Sequence, residues 1–288
     1  MRLQIAQLGL PGLPITSKRI LYTSLSGISS LFLAFAVLLL IYLFDRSINN
    51  SKQLAIATQS PVLGNLTYIK EPGMDLKKVW ENKLDSEYTV YKDLLRSLRF
   101  EIDHHLTLKQ NVVGITSLKP GEGKTFLALG LAYAFAMTDK KVLLITSDFE
   151  TPQANQKELP AQFFENFLVK REIQREDYIT VLNTRSTNGS LLEIQNEKNL
   201  KAGFEVLKNE FDVVLIDICS IGNSNKAKEW LLFTDKNISV FEAGKSLTDD
   251  DKEFVTFMKK QKGFIGWVLN IIKVTELNNS AFLSKKYA

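Results

Sequence analysis

Apolar positions along this chain fall into three rhythms. Between Arg19 and Asp45 no charge interrupts the run Ile20–Phe44, which is mostly Leu, Phe, Ala, Val, Ile and Tyr from Leu31 onward. As a helix, that run would reach ~37 Å at ~1.5 Å per residue, against a hydrocarbon core of ~30 Å. One spanning helix is the natural reading. Tyr88–His105 then shows helical spacing, with Tyr91, Leu94, Leu95, Leu98 and Ile102 on one face. From Asn111 onward, short β-branched runs alternate with helix-like runs. Val112–Thr116, Val142–Thr146, Tyr178–Asn183, Val213–Ile216, Ile238–Phe241 and Gly266–Ile271 read as strands. Phe126–Met137, Leu200–Asn209, Lys226–Leu232 and Asp249–Gln261 read as helices. Thr248 suits the N-cap of the last, with Asp249, Asp250 and Asp251 complementing its dipole. Near-continuous apolar strands alternating with helices predict an α/β fold, doubly wound around a mostly parallel sheet and preceded by one transmembrane helix.

Four segments follow. Residues 1–19, with Pro11 and Pro14, form a lead-in; 20–44 span the membrane; 45–87, punctuated by Pro61, Gly64, Pro72 and Gly73, form a polar connector; 88–288 form the α/β domain. The apolar run starts late and is too long for a cleaved signal peptide. A buried core helix is the rival reading of it. A net charge of +4 with both signs interspersed gives no reason to expect nucleic acid as a partner. A single cysteine, Cys219, excludes an internal disulfide framework. His104 and His105 have no Cys or His partners at ligand spacing and read as solvated surface.

The strongest chemical signal is Asn111–Gly130, NVVGITSLKPGEGKTFLALG. A β-branched strand meets a Gly-rich loop that opens a helix, as a phosphate-binding loop requires. Glycines let backbone N–H groups crowd around phosphate oxygens, and the helix N-terminus adds partial positive charge. Lys124 would neutralise the outer phosphates of ATP and the Thr125 hydroxyl would ligate Mg²⁺. Lys119, Pro120, Gly121, Glu122, Gly123 and Phe126 complete the expected binding segment. Leu118 stands where the usual pattern has its first glycine. FDVVLID (Phe211–Asp217) is an apolar strand ending in a carboxylate, where such proteins place a Mg²⁺ ligand. VLLITSDFE (Val142–Glu150) puts Asp148 just past another strand end.

The order of these motifs, followed by FEAGKS (Phe241–Ser246) and GWVLNII (Gly266–Ile272), resembles the cytoplasmic domain of bacterial tyrosine kinases associated with exopolysaccharide and capsule export. Pro120–Thr125 matches their P-G-E-G-K-[ST] loop. LPGLPITSKR (Leu10–Arg19) resembles the proline segment before the second transmembrane helix of polysaccharide co-polymerases. Asp45–Leu66 resembles the connector after it, and YKDLLRSLRF (Tyr91–Phe100) the helix ahead of the kinase core. Such relatives usually carry a first transmembrane helix and a large periplasmic domain before the proline segment. Neither stands in this sequence, which fits a truncated chain, a split-gene product or a naturally short relative.

The resemblance implies site roles, and the departures from it bear on them. The family carries E-x-x-R-x-x-R for packing subunits into a ring; here Asp93, Arg96 and Arg99 stand at those positions, on one helix face. The strand matching Val142–Thr146 ends in the family with two aspartates, the first implicated in activating the acceptor tyrosine. Here Thr146 takes that place and Glu150 replaces the usual Arg. Asp148 is kept, and the resemblance implies that it completes the metal shell with Thr125 and Asp217 and forms the catalytic set with Lys124 and Asp217. Threonine cannot act as a base near neutral pH, and such assistance is typically worth ~10²–10⁴-fold. Phosphoryl transfer is therefore expected to be weakened. Ile218, Cys219 and Ser220 replace the usual T-P-P. The phosphorylated tyrosine cluster of the family is reduced to Tyr287. Lys119 occupies the position of the extra lysine in the deviant loop of septum-positioning and plasmid-partition ATPases.

By resemblance, the chain is an inner-membrane, single-pass protein that binds ATP and Mg²⁺, forms a ring-type homo-oligomer and acts with polysaccharide polymerase or export machinery and a tyrosine phosphatase. A catalytically degenerate scaffold is the alternative, and a partition-type ATPase a third. Loop charges lean weakly towards the N-terminus inside. The need of a phosphate loop for ATP argues instead that everything after the span is cytoplasmic, with residues 1–19 outside.

Overall fold

The computed structural model describes residues 17–67, 86–146, 162–174, 179–184, 190–223 and 225–272. It separates into two units, one ending at Arg46 and one beginning at Ser47. The first is the helix α1 (Arg19–Phe44), none of whose residues is buried. Its mean hydropathy over the most apolar window is 2.5, so by length and composition it can cross a membrane.

The second unit is built on seven strands: β1 (Val62–Thr67), β2 (Val112–Ser117), β3 (Val142–Thr146), β4 (Ile179–Asn183), β5 (Val213–Asp217), β6 (Lys236–Glu242) and β7 (Phe264–Ile272). Their order is β1-β7-β6-β2-β5-β3-β4, and every pairing is parallel. Strands β2, β3 and β5 are buried throughout. That follows from their near-continuous apolar runs, which a sheet covered on both faces permits. Helix α2 (Ser51–Thr58) precedes β1. Parallel strands need crossover connections, and between strands the chain supplies the helices α3 (Ser86–Asp103), α4 (Lys124–Ala136), α5 (Phe164–Lys170), α6 (Leu191–Ile194), α7 (Glu197–Glu210), α8 (Asn225–Leu231) and α9 (Asp249–Lys260).

One face of the sheet is covered by α3 and α4, where Tyr91, Leu95, Leu98 and Ile102 join Leu127, Leu131 and Phe135 against Val113, Ile115 and Leu215. The other is covered by the aromatic set Phe164, Phe167, Phe204 and Phe211, packed on Val112, Val214 and Ile216. A third cluster gathers Ile48 and Leu54 with Leu118, Phe241, Val255, Trp267 and Leu269. Through it, residues 47–67 become part of the sheet domain: β1 pairs with β7, and Ile48 bridges Lys245. The sequence reading assigned no strand or helix to that stretch.

Tyr91 is fully buried against Phe126, and its hydroxyl has no hydrogen-bond partner among the described residues. Burial alone pushes its ionisation far above the ordinary range. Removing an unpartnered buried hydroxyl relieves a desolvation cost of ~1–3 kcal/mol. Tyr91→Phe is therefore expected to leave thermal stability unchanged or raise it. A fall in Tm of several degrees would show that the hydroxyl is bonded.

Candidate phosphate-binding site

The loop from Ser117 to Lys124 leaves the carboxyl end of β2 at the centre of the sheet and opens α4. In open parallel sheets this is where ligands bind. Gly121 and Gly123 have φ of +83° and +87°, a conformation that side chains resist. Gly123 is the N-cap of α4 and brings no side chain to the first-turn amides. Those donors and the positive end of the helix dipole are left for an anion.

The loop is held from three sides. Asn270 of β7 donates through Nδ2 to the Glu122 carbonyl at 2.9 Å. A Cβ on Gly123 would sit 2.0 Å from that same Nδ2. Gly123→Ala must therefore dislodge Asn270 as well as strain the backbone. Backbone strain alone is on the order of 1–3 kcal/mol, so nucleotide affinity is expected to drop about tenfold or more in a fluorescence titration. Unchanged affinity would mean that the loop does not depend on this clamp.

Lys119 supplies the second hold. Its amide donates to Glu122 Oε2 at 3.0 Å, its carbonyl accepts from the Ser117 hydroxyl at 2.7 Å, and its ammonium pairs with Asp251 Oδ2 at 2.8 Å. Asp251 lies in the first turn of α9 and is almost fully buried. Burial opposes its ionisation. The Lys119 ammonium, with the Thr248 amide and hydroxyl at 2.8 and 2.7 Å, outweighs that and holds the carboxyl below the usual range. The third hold is Leu118, packed in the cluster of Ile48, Leu54 and Val255. A side chain thus anchors the position where the usual loop has a glycine.

Asp217 ends β5 and is buried. Its Oδ2 accepts from the Thr125 hydroxyl at 2.7 Å and from the Thr146 hydroxyl at 3.0 Å. The loop helix, β5 and β3 therefore converge on one carboxylate oxygen. An aspartate at position 146 would bring a second negative charge to that oxygen; threonine brings a donor instead.

The structure thus brings Lys119, Pro120, Gly121, Glu122, Gly123, Lys124 and Thr125 into one loop and sets Asp217 against it. Phe126 differs: its ring packs on Tyr91 at 5.5 Å between centroids, so its side chain serves the core. Asp148, Glu150 and Tyr287 lie outside the described residues. Asp93 and Arg96 pair with each other at 2.7 Å on the exposed face of α3. Arg99, expected beside them, donates instead to the Ala134 carbonyl in the last turn of α4 at 3.0 Å. Asn270 was missed as a site residue. Its only signal was a polar residue in the apolar run GWVLNII, and nothing local says which loop it reaches.

Residues 113–282 match the family described as CobQ/CobB/MinD/ParA nucleotide binding domain. The chain belongs to that family. Among curated proteins, the CobQ/CobB/MinD/ParA domain here is similar to the tyrosine-protein kinase CpsD of Streptococcus pneumoniae, at 26% identity over 181 residues, covering 58% of this chain and 78% of that protein. It is also similar to the tyrosine-protein kinase YwqD of Bacillus subtilis, at 35% identity over 106 residues, covering 36% of this chain and 40% of that protein. Among solved structures, the chimerical protein CapA2B2 superposes with a TM-score of 0.62 at 20% identity, covering 78% of this chain and all (100%) of that one. The kinase domain of the Escherichia coli tyrosine kinase ETK gives 0.60 at 18% identity, covering 78% of this chain and 94% of that one. At these identities the structural likeness establishes the P-loop fold.

Proposed function

We propose that this chain is a membrane-anchored, ATP-binding P-loop protein of the bacterial tyrosine-autokinase type, acting in the control of exopolysaccharide or capsule chain length and export. The observation that carries this is the seating of the Thr125 hydroxyl on Asp217 beside a glycine-shaped helix start. The donor set fits the group it would hold. A hydroxyl and a buried carboxylate are hard oxygen ligands suited to Mg²⁺, and a helix N-terminus free of side-chain caps suits phosphate.

In this reading Lys124 contacts the outer phosphates, and Thr125, Asp217 and Asp148 hold the ion. Bound Mg²⁺ would neutralise charge on the transferred phosphoryl group. Thr146 orients Asp217 through its hydrogen bond but cannot take a proton from an acceptor tyrosine. Tyr287 is the acceptor proposed in this chain. The exposed Asp93–Arg96 pair is proposed as an oligomer contact, while Arg99 is committed within the chain. The relatives CpsD and YwqD, both tyrosine-protein kinases, support the activity class. Helix α1 supports anchoring, and the need of a phosphate loop for ATP supports a cytoplasmic sheet domain.

A second reading is a nucleotide-binding scaffold without phosphotransfer, favoured by the threonine hydroxyl on Asp217. The two separate in one experiment on the full chain in detergent with γ-labelled ATP and Mg²⁺. Label on Tyr287 supports the kinase. Free labelled phosphate without labelled protein points to an ATPase switch. Binding without turnover supports the scaffold, and no binding overturns both readings.

A further inference from the structure

The phosphate loop carries one carboxylate of its own, Glu122, and buries it: the residue is 2% exposed, although its neighbour Gly121 is exposed. Its position is fixed at both ends. Oε2 accepts the Lys119 amide at 3.0 Å, the Leu118 amide also bonds the carboxylate, and the Glu122 carbonyl accepts from Asn270. The carboxyl cannot swing into solvent without breaking the loop that would hold phosphate.

Charged and polar groups face it from the elements packed on the loop. Lys119 faces it from the loop itself, with its ammonium already committed to Asp251 at the start of α9. Glu242 faces it from the end of β6. Asn270 faces it from β7 and is neutral. Lys124 opens α4 two positions along. Among the described residues, no cation is therefore dedicated to neutralising this buried carboxylate.

We propose that Glu122 couples nucleotide binding to proton uptake: a polyphosphate seated on the loop converts the buried carboxylate to the neutral acid. This rests on the nucleotide-binding reading above. The balance is one proton taken from solvent onto one carboxylate oxygen, with no other bond made or broken. The neutral acid keeps a carbonyl oxygen for the Lys119 amide and gains an O–H donor.

The free site is poised for this. Burial pushes the Glu122 carboxyl up to about 7, against downward pulls from the Lys119 and Leu118 amides and the Lys119 charge and a further upward push from Glu242. Near neutral pH both forms are populated. A nearby negative ligand raises the pKa further. Between the free and bound pKa values, binding consumes protons, so affinity falls as pH rises, by at most about tenfold per pH unit. Below the free value the acid is already neutral and the dependence vanishes.

The test is titration calorimetry of the full chain in detergent with Mg²⁺-ADP at pH 7.5, in two buffers of different protonation enthalpy. Wild type is expected to take up a substantial fraction of a proton per ADP more than Glu122→Gln. Affinity should decline with pH in wild type and flatten in the variant. Equal uptake in the two proteins overturns the proposal. Absence of binding by wild type overturns the nucleotide reading and this inference with it. Should Glu122→Gln fail to fold, the Glu122 carboxyl carbon in labelled wild-type protein reads the same quantity by NMR. A pKa that rises with ADP supports the proposal, and one that stays put overturns it.

Discussion

Lys124→Ala is expected to weaken nucleotide binding about 10²–10³-fold, because truncating one partner of a close charge pair costs ~2–5 kcal/mol and every ~1.4 kcal/mol is tenfold. The effect should exceed that of removing any other loop side chain. Lys124 is the first residue of α4, directly after the left-handed Gly123, so its ammonium and the helix-end amides would act on the same phosphate group. The other loop lysine cannot substitute without giving up its pair with Asp251. Binding should be read with a fluorescent nucleotide, and turnover with γ-labelled ATP, where Lys124→Ala should abolish both protein label and free phosphate. Stability should change little, because Lys124 is partly exposed and no described hydrogen bond holds it. Affinity within a fewfold of wild type would remove this lysine, and with it the phosphate-loop reading of the site.

Much of this site could be read from the residues because its parts are local. A strand, a glycine-rich turn and a helix start lie within Val112–Ala136, and each announces itself by composition. Asp217 is legible for a related reason: β5 is an apolar run with one charge at its end. What could not be read is long-range. Asn270 grips Glu122 across 148 positions, and Asp251 grips Lys119 across 132. Arg99 shares helical spacing with Asp93 and Arg96, yet the last turn of α4 offers it a carbonyl. Spacing along one helix cannot report the end of another.

The edge of the sheet was illegible for a different reason. Strand β1 reads VLGNLT, and its first four positions are only half-buried. Gly64 and Asn65 break the alternation that would mark a strand, and Pro61 sits at its start, as an edge position tolerates. Register against β7 is irregular as well. Its place is set by tertiary contacts, including the Pro61 carbonyl accepting the Trp267 amide at 2.9 Å, rather than by its own pattern. Leu118 is the complementary case. Sequence marks it as a departure from the loop pattern, while the fold gives the departure a use by burying it with Ile48 and Leu54.

Thr146→Asp is expected to raise phosphotransfer to Tyr287 by about 10²-fold, the lower end of what a positioned general base supplies. The Thr146 hydroxyl lies 3.0 Å from Asp217 Oδ2, so an aspartate there would confront a carboxylate with a carboxylate. Two such groups cannot both ionise freely: one pKa is driven up, which is the condition a base near neutral pH requires. The same repulsion predicts a cost. Without divalent metal, the variant should lose stability as pH rises, because a carboxyl with a raised folded pKa stabilises the fold below its unfolded pKa and that contribution is lost on passing the folded one. Mg²⁺ bridging the pair should restore it, so the Tm gain on adding Mg²⁺ should be larger in Thr146→Asp than in wild type. A larger metal-dependent Tm gain without increased label on Tyr287 would show that the missing base is not what limits transfer. Neither effect would mean that position 146 does not reach the metal site, and the hydrogen bond from Thr146 to Asp217 would then be structural only.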